Sequence, residues 1–134
     1  MAGIHAVLAG SGAPFVFNQT ISSNTTNYNL RDAAVAAGWN QLTPLRAVVT
    51  INSGVYVSAN STGVYAFDTG TSFPTGSSLS LTNNGFIVGM GGAGGKGGGV
   101  NANGTPDTGA AGAAGGPAMR AQTAISVTNT GTIG

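Results

Sequence analysis

The chain has 134 residues, a net charge of +1, and only seven Lys, Arg and Asp side chains, with no Glu and no Cys. A globular enzyme of ordinary composition is about a quarter charged, so solubility here falls to Asn, Thr, Ser and the backbone. This composition excludes a disulfide frame, a thiolate nucleophile and a Cys-bound metal, and four scattered basic residues argue against nucleic acid as a ligand.

Residues 1–26 are small and polar around the apolar patch Phe15, Val16 and Phe17. They are expected to form an N-terminal attachment arm, in which the patch reads either as a short strand docked on a neighbour or as chain threading loosely through solvent. Met1 to Phe17 lacks a basic leader, and Gly3, His5, Gly10 and Gly12 interrupt its apolar stretch, so it does not fit a signal peptide. No run approaches the roughly 18 apolar residues of a membrane span, and no membrane insertion is expected. Sequons at Asn18, Asn24, Asn60 and Asn103 are what a chain rich in Asn and Thr produces by chance.

Residues 27–88 read as a helix followed by a β-body. In Asn27 to Trp39, NYNLRDAAVAAGW, the residues Leu30, Ala33, Ala34 and Ala37 lie at i, i+3, i+4 and i+7 and make one apolar stripe. Asn27 or Asn29 can cap its start, Asp32 suits the positive end of the dipole, and Gly38 is placed to end it. Such a helix is too short to stand alone, and Trp39 is expected to anchor it. From Leu45 onward short apolar runs are punctuated by turn residues: Val48–Ile51, Val55–Val57, Gly63–Phe67, Leu79–Leu81, Phe86–Val88, Ile125–Val127 and Thr132–Ile133.

Three of these units repeat a strand, Asn-x-Gly, strand design: VVTINSGVYV, LSLTNNGFIV and ISVTNTGTIG. Asn and Gly tolerate positive φ, so the chain can turn there without strain. The second and third copies share strand parity and the first is offset by one residue. Stacked layers are favoured over ordinary hairpins. The fold expected is mainly β, a sandwich or solenoid of short stacked strands with one short helix. Leu30, Val35, Trp39, Val49, Ile51, Leu79, Leu81, Ile87, Ile125 and Val127 are its expected core and oligomer contacts.

Residues 89–117 are a glycine-rich insertion, after which 118–134 return to the strand repeat. Gly91-Gly92-Ala93, Gly94-Gly95-Lys96 and Gly97-Gly98-Gly99 are G-G-x triplets, and the phase resumes at Gly109, Gly112 and Gly115. Three residues per turn is the period of polyproline II, and glycine at every turn lets extended backbones approach. A polyglycine-II bundle fits this pattern; a flexible linker is the alternative. The embedded G-M-G-G-A-G is not a nucleotide loop. A P-loop needs Gly where Met90 stands and Ser or Thr where Gly97 stands, and a Rossmann turn needs a helix where Gly95 to Gly99 follow.

No base with an orienting partner is apparent: His5 is the single histidine, and Asp32 beside Arg31 reads as a solvated helix face. Asp68 in FDTG has the form of an aspartic-protease tripeptide, and Asp107-Thr108-Gly109 repeats D-T-G, but both lie in expected turns and the glycine-rich remainder does not resemble such a protease. No catalytic, cofactor-binding or metal residue is expected.

The runs YNLRDAAVAAGW, VTINSGVYV and FDTGTSFPTGSSLSLTNNGFIVGMGGAGGKGGG resemble a module found near the C-terminal ends of bacteriophage tail-tip and tail-fibre proteins, over about Tyr28 to Gly134. The resemblance implies a virion structural protein, made in the host cytoplasm, that assembles with itself as a homotrimer and with other virion proteins and contacts a bacterial surface receptor. Lys96, Asn101, Asn103 and Asp107 would face that receptor. The alternative is a capsid decoration protein that stabilises the head.

Overall fold

The computed structural model describes residues 12–134. In chain order the elements are β1 (Phe15–Ile21), β2 (Thr25–Thr26), β3 (Tyr28–Asn29), α1 (Leu30–Ala36), β4 (Leu45–Ile51), β5 (Tyr56–Ser58), β6 (Phe67–Asp68), β7 (Ser78–Asn83), β8 (Phe86–Val88), β9 (Gly99–Val100), β10 (Pro106–Asp107), β11 (Met119–Arg120), β12 (Ser126–Asn129) and β13 (Thr132–Ile133). The body is a stack of parallel circuits. One sheet runs β1-β4-β7-β12, a second β2-β5-β8-β13 and a third β3-β6-β11. Parallel neighbours need a long crossover, and here the crossover is the rest of each circuit: the chain visits the other sheets before returning beside its previous strand.

Register explains the alternating sequence of the first sheet. Phe17, Ala47 and Leu79 align and point inward, as do Val49 with Leu81 and Ile21 with Ile51. Residues between them face out in rows, the clearest being Thr20, Thr50, Thr82 and Thr128. Full burial of each Val, Leu or Ile contributes about 1.5–3 kcal/mol, so these inward rows carry the stability of the body. Aromatic pairs reinforce the other sheets: Tyr28 stacks on its register partner Phe67 at 5.3 Å, and Tyr56 on Phe86 at 4.4 Å. Burial raises the Tyr28 phenol well above its ordinary pKa, and its hydroxyl donates to Gln19 Oε1 at 2.7 Å.

Leu30, Trp39, Val49, Ile51, Leu79, Leu81 and Ile87 are buried, while Val35 and Ile125 pack from the margin. Val127 lies inward of β12 yet is 41% exposed, because no described strand covers the last circuit. Phe15, Val16 and Phe17 open β1, so from Phe15 on the segment read as an arm forms the first circuit; Phe17 is buried and Val16 exposed. Residues 1–11, including His5, lie outside the described residues.

The helix is shorter than the stripe predicts, since Tyr28 and Asn29 pair with β6 as a strand. Asn29 is the cap: its side chain accepts from the Asp32 amide at 3.0 Å. Gly38 ends the helical run at φ +111°. Trp39 donates from Nε1 to Thr43 O at 2.8 Å and stacks on Phe73 at 5.6 Å, which fastens α1 to the body.

The Asn-x-Gly corners stack, but not chiefly through positive φ. Only Gly54 has it, at +78°. A Cβ on Gly85 would lie 2.3 Å from Val55 O and 2.5 Å from Asn52 O, and one on Gly131 only 2.0 Å from Gly85 O. Glycine is needed there because successive corners touch. The offset of the first copy is real and structural: Ile51 aligns with Asn83 and Asn129, and residues 52–55 make a wider corner than 84–85. Asn83 is thereby buried, donating to Asn129 Oδ1 at 2.8 Å and Thr132 O at 3.0 Å and accepting from Gly85 N at 3.1 Å.

Candidate functional site

The glycine segment leaves the body after β8 and returns at β11, within the third circuit. It folds back on itself as two extended arms. Gly116 N donates to Met90 O at 2.7 Å, Ala113 N to Ala93 O at 2.8 Å, and Ala110 N to Lys96 O at 2.9 Å. Donors and acceptors both step by three residues, in opposite directions. At its base Gly89 N bonds Gly134 O at 2.9 Å, and Gly116 rests against the Thr62 backbone.

This spacing gives each glycine of a triplet a distinct position. A Cβ on Gly92 or Gly95 would fall 1.9 Å from the carbonyl oxygen of Ala113 or Ala110, and one on Gly89 2.1 Å from that of Gly116. No L side chain fits at those points while the arms stay together. From the returning arm, Gly109, Gly112 and Gly115 face the first arm at 3.0, 2.9 and 3.3 Å. Gly91, Gly94 and Gly97 meet nothing within 4 Å, so one row of glycines lies open along the outside.

At the far end β9 and β10 pair antiparallel, Val100 with Pro106 and Gly99 with Asp107. The turn between them is closed by Asn101 N to Thr105 O at 2.9 Å and Gly104 N to Asn101 O at 2.8 Å, with Gly104 at φ +82°. Asn103 Oδ1 accepts from Thr105 N at 3.4 Å. Lys96 pairs with Asp107 across the two arms. Lys96, Asn101, Asn103 and Asp107, the residues expected to face a receptor, therefore sit together at one end, and Val100 beside them is 71% exposed.

A second cluster was not legible in the sequence. The third sheet places Arg120 beside Asp68 and Asp68 beside Asn29 as register partners. Asp68 accepts from Arg120 Nη2 at 2.5 Å and Nε at 3.1 Å, from Gln122 Nε2 at 2.9 Å and from the Gly70 amide at 3.0 Å. Burial by itself would raise this carboxyl. The hydrogen bonds from Arg120, Gly70 and Gln122, with the Arg120 charge, outweigh it and hold the group below the usual aspartate range. The Arg120 guanidinium also lies 4.5 Å from the Tyr65 ring centroid. Asp68 of the FDTG tripeptide is thus engaged in a cross-strand ion pair. Its partner lies 52 residues away in sequence, beyond the reach of any local pattern.

Among the described residues no three His, Asp or Glu side chains gather as a metal site, and no helix is long and apolar enough to cross a membrane. No curated protein and no solved structure matches the chain. The family model for the phage tail fibre adhesin Gp38 does match, over residues 16–134, which takes in the stacked body, the glycine hairpin and the final repeat. That match does not favour a head decoration protein. With nearly the whole chain covered, the protein belongs to the phage tail fibre adhesin Gp38 family and so to the tail of the virion.

Proposed function

We propose that the chain attaches the phage to its host by presenting the end of the glycine hairpin, residues 99–107, to a bacterial surface receptor. The observation that carries this is the triplet spacing of the two arms. Close backbone contact and one cross-arm hydrogen bond per three residues hold a polar turn away from the body. Asn101, Asn103, Lys96 and Asp107 supply hydrogen-bonding groups there, and Val100 supplies exposed apolar area. The arms are read as polyglycine II, whose three-residue turn matches the spacing of those bonds. The chain acts by binding, as an adhesin, rather than by turnover.

Assembly belongs to the same reading. The open row of Gly91, Gly94 and Gly97 leaves room for another backbone, which supports self-association as a homotrimer. Exposed Val16 on β1, an edge strand of its sheet, supports a role for residues 1–26 in holding the chain to other tail proteins. The test uses purified protein and host cells. Intact chain should bind the cells and block phage adsorption, whereas a chain with Asn101–Thr105 replaced by a Gly-Ser linker of equal length should do neither. Equal blocking by both chains overturns the assignment of the turn. Light scattering of the intact chain reads the trimer: a monomer mass at high micromolar concentration removes that part.

A further inference from the structure

We propose that the cleft where the first, second and third circuits meet beside α1 binds a neutral hexose-type saccharide. It has a volume of about 340 Å³ and is lined by Asn27, Asn29, Asp32, Tyr65, Asp68 and Arg120, among others. That is at the small end of the roughly 300–1,000 Å³ of small-molecule sites, and it suits a mono- or disaccharide rather than a long glycan.

The groups left free in the cleft set the ligand chemistry. The Asp32 carboxylate is exposed and its oxygens take no hydrogen bond among the described residues, only its backbone amide being engaged, with Asn29. Arg120 spends Nε and Nη2 on Asp68 and keeps the Nη1 donors. Asn29 uses its oxygen on the Asp32 amide and keeps its NH₂. A carboxylate acceptor thus lies with amide donors and the remaining guanidinium donors around one small space, Tyr65 being already engaged with Arg120. Vicinal hydroxyls, each both donor and acceptor, match such a set.

Charge narrows the class. Asp68 and Arg120 offset one another, and Asp32 leaves the cleft with one excess negative charge. Phosphorylated and sialylated sugars are therefore disfavoured, while the free guanidinium donors oppose an amine. The walls are held before any ligand arrives. Asn27 adopts φ +51°, uncommon for a residue other than glycine, and exchanges two hydrogen bonds with Asn60, at 2.8 and 3.1 Å. The Asp68 pair fixes the guanidinium in the same way.

This cleft is separate from residues 99–107, so its test is independent of the hairpin reading. Isotope-labelled intact chain is titrated with the methyl glycosides of glucose, galactose and mannose, and with N-acetylneuraminic acid, and amide shifts are followed. At least one neutral glycoside should bind in the millimolar range typical of a single sugar, with shifts confined to residues 27–32, 63–68 and 120–122. Asp32→Asn should weaken that binding by about tenfold, the loss of charge-assisted hydrogen bonds. Shifts confined to residues 99–107, tighter binding of the acidic sugar, an unchanged affinity in Asp32→Asn, or no shift with any neutral glycoside at tens of millimolar (~) each overturn the proposal. The wild-type shift map stands as a readout even if the variant folds poorly.

Discussion

Gly92→Ala isolates the feature on which the hairpin depends. The added Cβ would sit 1.9 Å from Ala113 O and 2.6 Å from Ala114 O, both backbone atoms, so the arms must part locally. Separation there breaks the Ala113 N to Ala93 O bond and weakens its neighbours at Gly116 and Ala110. One to two hydrogen bonds at about 1 kcal/mol each make local opening easier by about 1–2 kcal/mol, a factor of about 5–30. Amide hydrogen exchange in the dilute chain reads this directly, because Ala110, Ala113 and Gly116 are the cross-arm donors. Their exchange should accelerate by that factor, while the unfolding midpoint of the body stays unchanged, since the arms contribute nothing to the core cluster. Gly94→Ala is the control: its Cβ meets nothing within 4 Å and its φ is not positive, so protection should be kept or rise slightly. Unchanged protection in Gly92→Ala, or equal loss in Gly94→Ala, refutes the arm packing.

Asp68→Asn should lower the unfolding free energy by about 1–3 kcal/mol in denaturant titration, a range that allows for the solvent exposure of Arg120. The wild-type contribution also depends on pH. The folded pKa of Asp68 lies below its unfolded value, so the stabilisation is complete above the unfolded value and is lost as pH falls through the folded one, below about pH 4. The Asn variant should lose that component of acid sensitivity. At the corners, Gly85→Ala should cost about 2–3 kcal/mol by pushing on Val55 O and Asn52 O. Gly54→Ala, strained only by its φ of +78°, should cost about 1 kcal/mol; equal thermal shifts for the two would contradict the stacking of corners.

Much of the body was legible because its layers repeat. The strand, Asn-x-Gly, strand units became β4 with β5, β7 with β8, and β12 with β13, and the one-residue offset of the first unit became the wide corner at residues 52–55. The third sheet was not legible, because two-residue strands such as Met119–Arg120 carry no periodicity. Only the start of β1, the patch Phe15 to Phe17, was legible: further on Gln19 occupies an inward position and breaks the alternation, and its bond to Tyr28 lets it stand there. Of the corner glycines, Gly54 was recognised for the right cause but Gly85 and Gly131 were not, since sequence shows that glycine is needed and not whether φ or a neighbouring backbone demands it. The triplet count pointed to backbones that approach closely but not to the fold-back itself, and which glycine faces the other arm depends on the phase of that fold-back. The Asp68–Arg120 pair and the cleft around it join three circuits, and only the completed stack brings them together.

The central claim is that the glycine hairpin carries the host-contacting surface of the tail. Its most direct test is adsorption of phage particles assembled with a chain in which Asn101–Thr105 is replaced by a Gly-Ser linker. Particle yield and tail incorporation should equal wild type, while the adsorption rate constant should fall by at least about tenfold, the equivalent of one lost charge-assisted contact. Wild-type adsorption by such particles would contradict the account.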